Sequence, residues 1–133
     1  MAEGGCHCGA VRYEAAGAPG RVSLCHCTDC RRHSGAPMVA WAVFGEDAFR
    51  VLRGQPVAYA SSEHARRWFC PACGTGLYYT NGVVLPGLVD IQVATLDDPD
   101  AFAPSEQMQV AERIAWVAEA HTLPTHQRYP DLG

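Results

Sequence analysis

The chain has 133 residues, 48% hydrophobic and 18% charged, an ordinary globular make-up with enough length for one sizeable core. Its formal net charge of −4 argues against a general nucleic-acid binder, and its ten basic residues are all Arg, so Schiff-base chemistry and a P-loop lysine are excluded. The seven cysteines are odd in number, which argues against a complete disulfide framework and leaves metal binding, catalysis or inert thiols.

Taken in chain order, the pattern is one of short strands separated by turn signals. Met1–Cys6 shows no basic region followed by an apolar run, so no signal peptide is visible and a cytoplasmic location is expected. Val11–Ala15 alternates and is flanked by Gly9 and Gly17, and Arg21–Cys25 reads as a second strand. Asp29–His33 has room for one helical turn, with Thr28 as the expected N-cap and Gly35 as the stop. Val39–Phe44, Phe49–Leu52, Val57–Ala60, Arg67–Phe69 and Leu77–Thr80 follow as strands, then Leu88–Thr95 and Met108–Ala111. Only Glu112–Glu119 has helical spacing. The longest apolar runs, Met38–Phe44 and Val83–Val89, are too short to cross a bilayer, so no membrane partner is expected. The predicted class is mainly β, a single domain over 1–133 with few short helices.

The cysteines fall into three groups. Cys70-Pro-Ala-Cys73-Gly74 has the form of a zinc knuckle, in which two thiolates reach one metal and glycine lets the backbone turn toward the sulfurs. Cys6 and Cys8, at i and i+2, put both sulfurs on one side of an extended chain. Together these four make a closed Cys₄ site. Cys25, Cys27 and Cys30 remain, and four plus three is the economical partition. Three thiolates on one metal leave a coordination position open, which marks a catalytic site rather than a structural one. Cys30, near a helix N-terminus and beside Arg31, Arg32 and His33, is expected to have a lowered pKa. His26 or His33 completing a Cys₃His site, or a metal-free thiol cluster, is the plainer alternative.

The runs GGCHCGAVRYE, CHCTDCRRHSG, FCPACGTGLYY and ATLDDPDAFAP, with the closing AW…LP, resemble the glutathione-dependent formaldehyde-activating enzyme family, also called the centromere protein V family. They run in family order from Gly5 to about Pro124. The resemblance implies packed antiparallel sheets of β-tent type. It implies a structural zinc on Cys6, Cys8, Cys70 and Cys73 and a more labile zinc on Cys25, Cys27 and Cys30. It also implies an S-(hydroxymethyl)glutathione synthase activity, formally that of a carbon–sulfur lyase, with glutathione bound beside the three cysteines. Gln107 stands about where many members have a His.

For that activity zinc would lower a thiol's pKa and polarise a carbonyl oxygen. Glutathione carries two carboxylates, and Arg31 with Arg32, or Arg66 with Arg67, are candidates to clamp one bidentately. Trp41 and Phe44 are candidates for an apolar wall. Trp116 is expected in the core, His64 in an exposed loop, and Asp97 and Asp98 in a turn. Two other readings use the same cysteines: a glutathione or thiol carrier without turnover, and a zinc-stabilised interaction module.

Overall fold

The computed structural model describes residues 1–130; residues 131–133 of the expected domain lie outside the described residues. Ten strands form two sheets. In chain order they are β1 (Ala2–Gly5), β2 (Arg12–Ala15), β3 (Val22–Cys25), β4 (Val39–Gly45), β5 (Phe49–Arg53), β6 (Val57–Ala60), β7 (Ala65–Phe69), β8 (Gly76–Asn81), β9 (Leu88–Gln92) and β10 (Glu106–Met108). One α-helix, α1 (Thr28–Ser34), joins β3 to β4. The small sheet has the order β1-β2-β5 and the large one β10-β3-β4-β9-β8-β7-β6. Every pairing is antiparallel except β10 on β3.

Alternation divides the large sheet into two working faces. Ala42 opposite Ile91, and Phe44 opposite Val89, point one way. They pack with Tyr13, Ala15 and Phe49 of the small sheet to make the main core. Aromatic rings tie the layers: Phe49 and Tyr78 lie 4.7 Å apart by centroid, and Trp68 stacks on Tyr78 at 5.5 Å. The Tyr13 hydroxyl meets the Thr95 hydroxyl at 2.6 Å, closing a polar gap at the core's edge. Gly4 permits this approach, because a Cβ there would come within 2.5 Å of both the Thr95 carbonyl oxygen and the Tyr13 hydroxyl. The other face of the large sheet carries Met108, Ser23, Cys25, Trp41, Asp90, Tyr79 and Arg67 in successive strands, as their registers dictate.

Several expectations shift. β1 escaped the sequence reading because Ala2–Gly5 has no β-branched residue and is held by pairing with β2. Cys6 and Cys8 follow β1 in a turn, not in extended chain. The expected Leu88–Thr95 strand stops at Gln92, and Val93–Thr95 coils into a 3₁₀ turn. The last strand is Glu106–Met108 rather than Met108–Ala111, because Gln109 takes φ +55° and turns the chain out of the sheet. Glu112–Glu119 does not form an α-helix; Ala115–Thr122 is 3₁₀ with no buried residue. Trp116 is 60% exposed, so it is not core: among the described residues no layer lies over it. The N-cap of α1 is Cys27, not Thr28, and its sulfur accepts from the Cys30 N–H. Gly35 does end the helix, at φ +63°, with its N–H on the Arg31 carbonyl.

Candidate metal centre and thiol cavity

Two loops bring the first four cysteines together. The Cys6–Val11 turn closes with Cys6 N–H on the Val11 carbonyl and Gly9 N–H on the Cys6 carbonyl, with Gly9 at φ +80°. The Cys70–Thr75 turn repeats the device: Cys70 N–H donates to the Thr75 carbonyl and Gly74 N–H to the Cys70 carbonyl, with Gly74 at φ +82°. Both glycines sit where a side chain would be strained. The His7 N–H donates to Thr75 Oγ1 at 3.1 Å and fastens one turn to the other. Cys6 and Cys8 sulfurs lie 3.6 Å apart, and Cys8 and Cys70 sulfurs 3.9 Å. A zinc ion with four Zn–S bonds of about 2.3 Å requires sulfurs about 3.8 Å apart. The four thiols therefore fit that metal as they stand, and all four sulfurs lie within 4.8 Å of one another. Thr75 holds the Cys73 thiol down at about 5. Cys8 is instead pushed up to about 11, because neighbouring thiols outweigh the Ala10 N–H that favours its thiolate.

Cys25, Cys27 and Cys30 converge on the opposite face of the large sheet, also within 4.8 Å. Cys25 ends β3, Cys27 caps α1, and Cys30 follows on the helix's first turn. A proton chain links them: Cys27 donates to Cys30 at 2.8 Å, and Cys30 donates to Cys25 at 3.6 Å. The Cys30 hydrogen bond lowers the Cys25 pKa below the ordinary thiol range. Cys30 itself is raised, by donating to Cys25 and by burial, although Arg67 pulls it down. Cys27 is raised by burial and by its bond to Cys30. The expected lowering at Cys30 is thus corrected: among converging buried thiols the terminal acceptor ionises first, and that is Cys25. The Cys27–Cys30 separation is about 1 Å shorter than a ZnS₄ edge, so these two thiols would have to part by that much to hold zinc.

The three sulfurs line a cavity of about 350 Å³ with Ser23, Trp41, Arg67, Tyr79, Asp90 and Met108 among its walls. That lies at the small end of the range for small-molecule pockets, about 300–1,000 Å³. Trp41 is buried in this cluster; Phe44, three residues on, faces the main core instead. The arginines separate sharply. Arg31 is held by the His26 carbonyl and Thr28 Oγ1 and does not line the cavity. Arg66 caps the carbonyls of Ser62, Glu63 and Ala65. Arg32 lines an adjoining polar recess with Asp29, His33, Tyr59 and Ser61. Arg67 borders both spaces, is only 7% exposed, lies over the Tyr79 ring at 5.1 Å and points Nη1 at the Cys30 sulfur, 3.8 Å away.

The remaining expectations are settled by contact. His33 packs flat on Tyr59 rather than reaching the cysteines. His26 is buried and pairs through Nε2 with Gln107 Oε1 at 2.7 Å, so neither histidine joins the sulfurs. His64 is exposed beside Glu63. Asp97 accepts two hydrogen bonds from Arg12 and bends the chain as expected.

A family model described as glutathione-dependent formaldehyde-activating enzyme matches residues 1–112. The chain belongs to this family. It is 35% identical over 115 residues to an uncharacterised lyase, C29B12.13, of the fission yeast Schizosaccharomyces pombe, covering 75% of this chain and 82% of that one. Its fold is similar to a crystal structure of a Rhodobacter sphaeroides protein, with TM-score 0.66 and 27% identity, over 80% of this chain and 99% of that one. Within this formaldehyde-activating-type fold, Asp90 and Tyr79 are among the cavity residues that sequence reasoning missed. The signal was available for Asp90: an acidic residue flanked by Leu88, Val89 and Ile91 in a strand.

Proposed function

We propose that this chain is a zinc-dependent carbon–sulfur lyase that acts on glutathione, or a similar small thiol, and a small aldehyde, as in S-(hydroxymethyl)glutathione synthesis. The observation that carries this reading is the pairing of a closed four-sulfur site with a three-sulfur site that opens on a cavity. The family model and the lyase name of the fission-yeast relative support a glutathione-related lyase. Cys6, Cys8, Cys70 and Cys73 hold the structural metal. Cys25, Cys27 and Cys30 would hold the second beside the substrate cavity. Zinc bound there supplies the positive charge that lets a thiol ionise at neutral pH and that polarises an aldehyde oxygen.

The chain's own residues do the rest. Trp41 and Tyr79 wall off water on the apolar side. Arg67 supplies a buried positive charge beside Cys30 and, with Arg32 in the adjoining recess, receives a thiol substrate's carboxylate. Arg31, already spent on the His26 carbonyl, orients the helix that presents Cys30. A cytoplasmic site of action belongs to the same reading and is supported by seven unpaired thiols; among the described residues no helix is long and apolar enough to cross a membrane.

The test is turnover. Protein at catalytic concentration should consume formaldehyde and glutathione well above their spontaneous rate of addition, and chelation of the labile metal should remove the excess. Saturable glutathione binding with no excess rate would instead favour the thiol carrier. One tight zinc and no response to glutathione would favour an interaction module.

A further inference from the structure

Strand β9 carries a carboxyl group that none of these roles uses. Asp90 pairs with Val43 on β4 and with Tyr79 on β8, which puts it on the cavity face of the sheet. Its chain neighbours Val89 and Ile91 turn the other way and are 2% and 0% exposed in the main core. Asp90 lines the cavity of the three thiols, and its Oδ1 is enclosed with no hydrogen-bond partner. A carboxyl oxygen enclosed without a partner is costly, so an apolar residue would suit this half-buried strand position better for folding alone.

The surroundings narrow its use. The titratable groups that line the cavity with Asp90 are Arg67 from β7, Tyr79 from β8, Cys25 from β3, and Cys27 and Cys30 at the start of α1; β4 contributes Trp41 and no titratable group. Arg67 makes no ion pair with it among the described residues; its guanidinium is turned to Tyr79 and Cys30. Nor does Asp90 join the three sulfurs within 4.8 Å, so it stands outside the ligand set while sharing the substrate space. Burial pushes its carboxyl up to about 7, where a group exchanges protons readily in both directions.

We propose that Asp90 is the proton-transfer residue of this cavity: its carboxylate takes the S–H proton of the incoming thiol and delivers it to the aldehyde oxygen as the carbon–sulfur bond forms. The S–H bond breaks, a C–S bond forms, and the carbonyl π bond is exchanged for an O–H bond. Asp90 returns to the carboxylate and nothing is oxidised or reduced. Adduct cleavage runs the same steps backwards. This role rests on the thiol–aldehyde reading given above.

The experiment compares zinc-replete wild-type protein with Asp90→Asn and Asp90→Glu, using glutathione and formaldehyde across pH 5–9. Loss of a general acid–base group costs about 10²–10⁴-fold. Asp90→Asn should therefore lower kcat by at least about 100-fold, with KM for glutathione and zinc content near wild type and no loss of melting temperature. It should also lose the limb of the pH profile near 7 that wild type shows. Asp90→Glu should recover part of the rate and keep a limb. Infrared difference spectra should show a protonated carboxyl band in wild type that titrates near pH 7 and is missing in Asp90→Asn. If Asp90→Asn does not fold, a displaced limb in Asp90→Glu and the wild-type band carry the test. Wild-type turnover with an unchanged Asp90→Asn rate and profile overturns the role of Asp90 alone. Wild-type protein with no rate above the spontaneous one overturns the thiol–aldehyde reading, and this role falls with it.

Discussion

The two cysteine clusters use the same atom type for opposite ends. The four-sulfur cluster joins two turns that are 62 residues apart in sequence at Cys8 and Cys70, and its sulfurs already stand at zinc-like separations. The three-sulfur cluster is local, spanning only Cys25 to Cys30, with its sulfurs linked by hydrogen bonds from Cys27 to Cys30 and from Cys30 to Cys25. One cluster therefore brings together two distant parts of the chain, and the other lies within a single short segment. What differs is not ligand chemistry but what surrounds it: turns with positive-φ glycines around the first, a cavity with a buried Arg and an unpaired carboxyl around the second.

The largest effect expected from breaking this contrast is at Cys70. Cys70→Ser should leave the chain unfolded at 25 °C by circular dichroism, because binding free energy of structural zinc, about 10–16 kcal/mol in small zinc domains, is folding free energy. A folded Cys70→Ser protein with normal zinc would refute the four-plus-three partition. Cys30→Ser should do the reverse, keeping the fold and one zinc while losing the second metal and at least about 100-fold in turnover, a loss of about 2.7 kcal/mol of transition-state stabilisation.

Arg67 and Asp90 sharpen the contrast at a smaller scale. Arg67→Met keeps an apolar stem and removes the guanidinium that lies over Tyr79. It should raise KM for glutathione about 10-fold, about 1.4 kcal/mol, with kcat changed less; an unchanged KM removes Arg67 from the thiol site. Asp90 gives a stability test independent of activity. The native state keeps its proton up to about pH 7, well above the ordinary carboxylate range. Between about pH 4 and 7 the unfolded chain binds fewer protons there, so stability must fall as pH rises through that window. Asp90→Asn should therefore gain on wild type by up to a few kcal/mol from pH 4 to 8 in denaturant melts. A constant gap between the two proteins would show that Asp90 ionises normally. The smallest effect belongs to the exposed Arg12–Asp97 pair. Asp97→Ala should cost about 1 kcal/mol or less and leave both clusters intact.

Much of this was legible because it is written in local spacing. The cysteine grouping, the short strands and the Gly35 helix stop depend on neighbours within a few residues, and Cys70-Pro-Ala-Cys73-Gly74 announces its turn. The misses depend on tertiary contacts. Trp116 is as apolar as Trp41, and tertiary packing rather than sequence distinguishes their exposure. Arg31 and Arg67 look alike as halves of Arg–Arg pairs, but strand register sends Arg67 toward Tyr79 and Cys30 while the helix turns Arg31 onto the His26 carbonyl. The order of ionisation among the three thiols follows from which sulfur donates to which, and spacing does not encode that.

The contrast between a closed and an open cluster is tested most directly by zinc analysis during graded chelation, with circular dichroism followed in the same samples. Two zinc ions per chain are expected. One should leave at low chelator concentration with the fold unchanged, glutathione should alter that release, and the second ion should leave only as the chain unfolds. Loss of both ions together, or a single ion whose removal leaves the fold intact, would contradict the account.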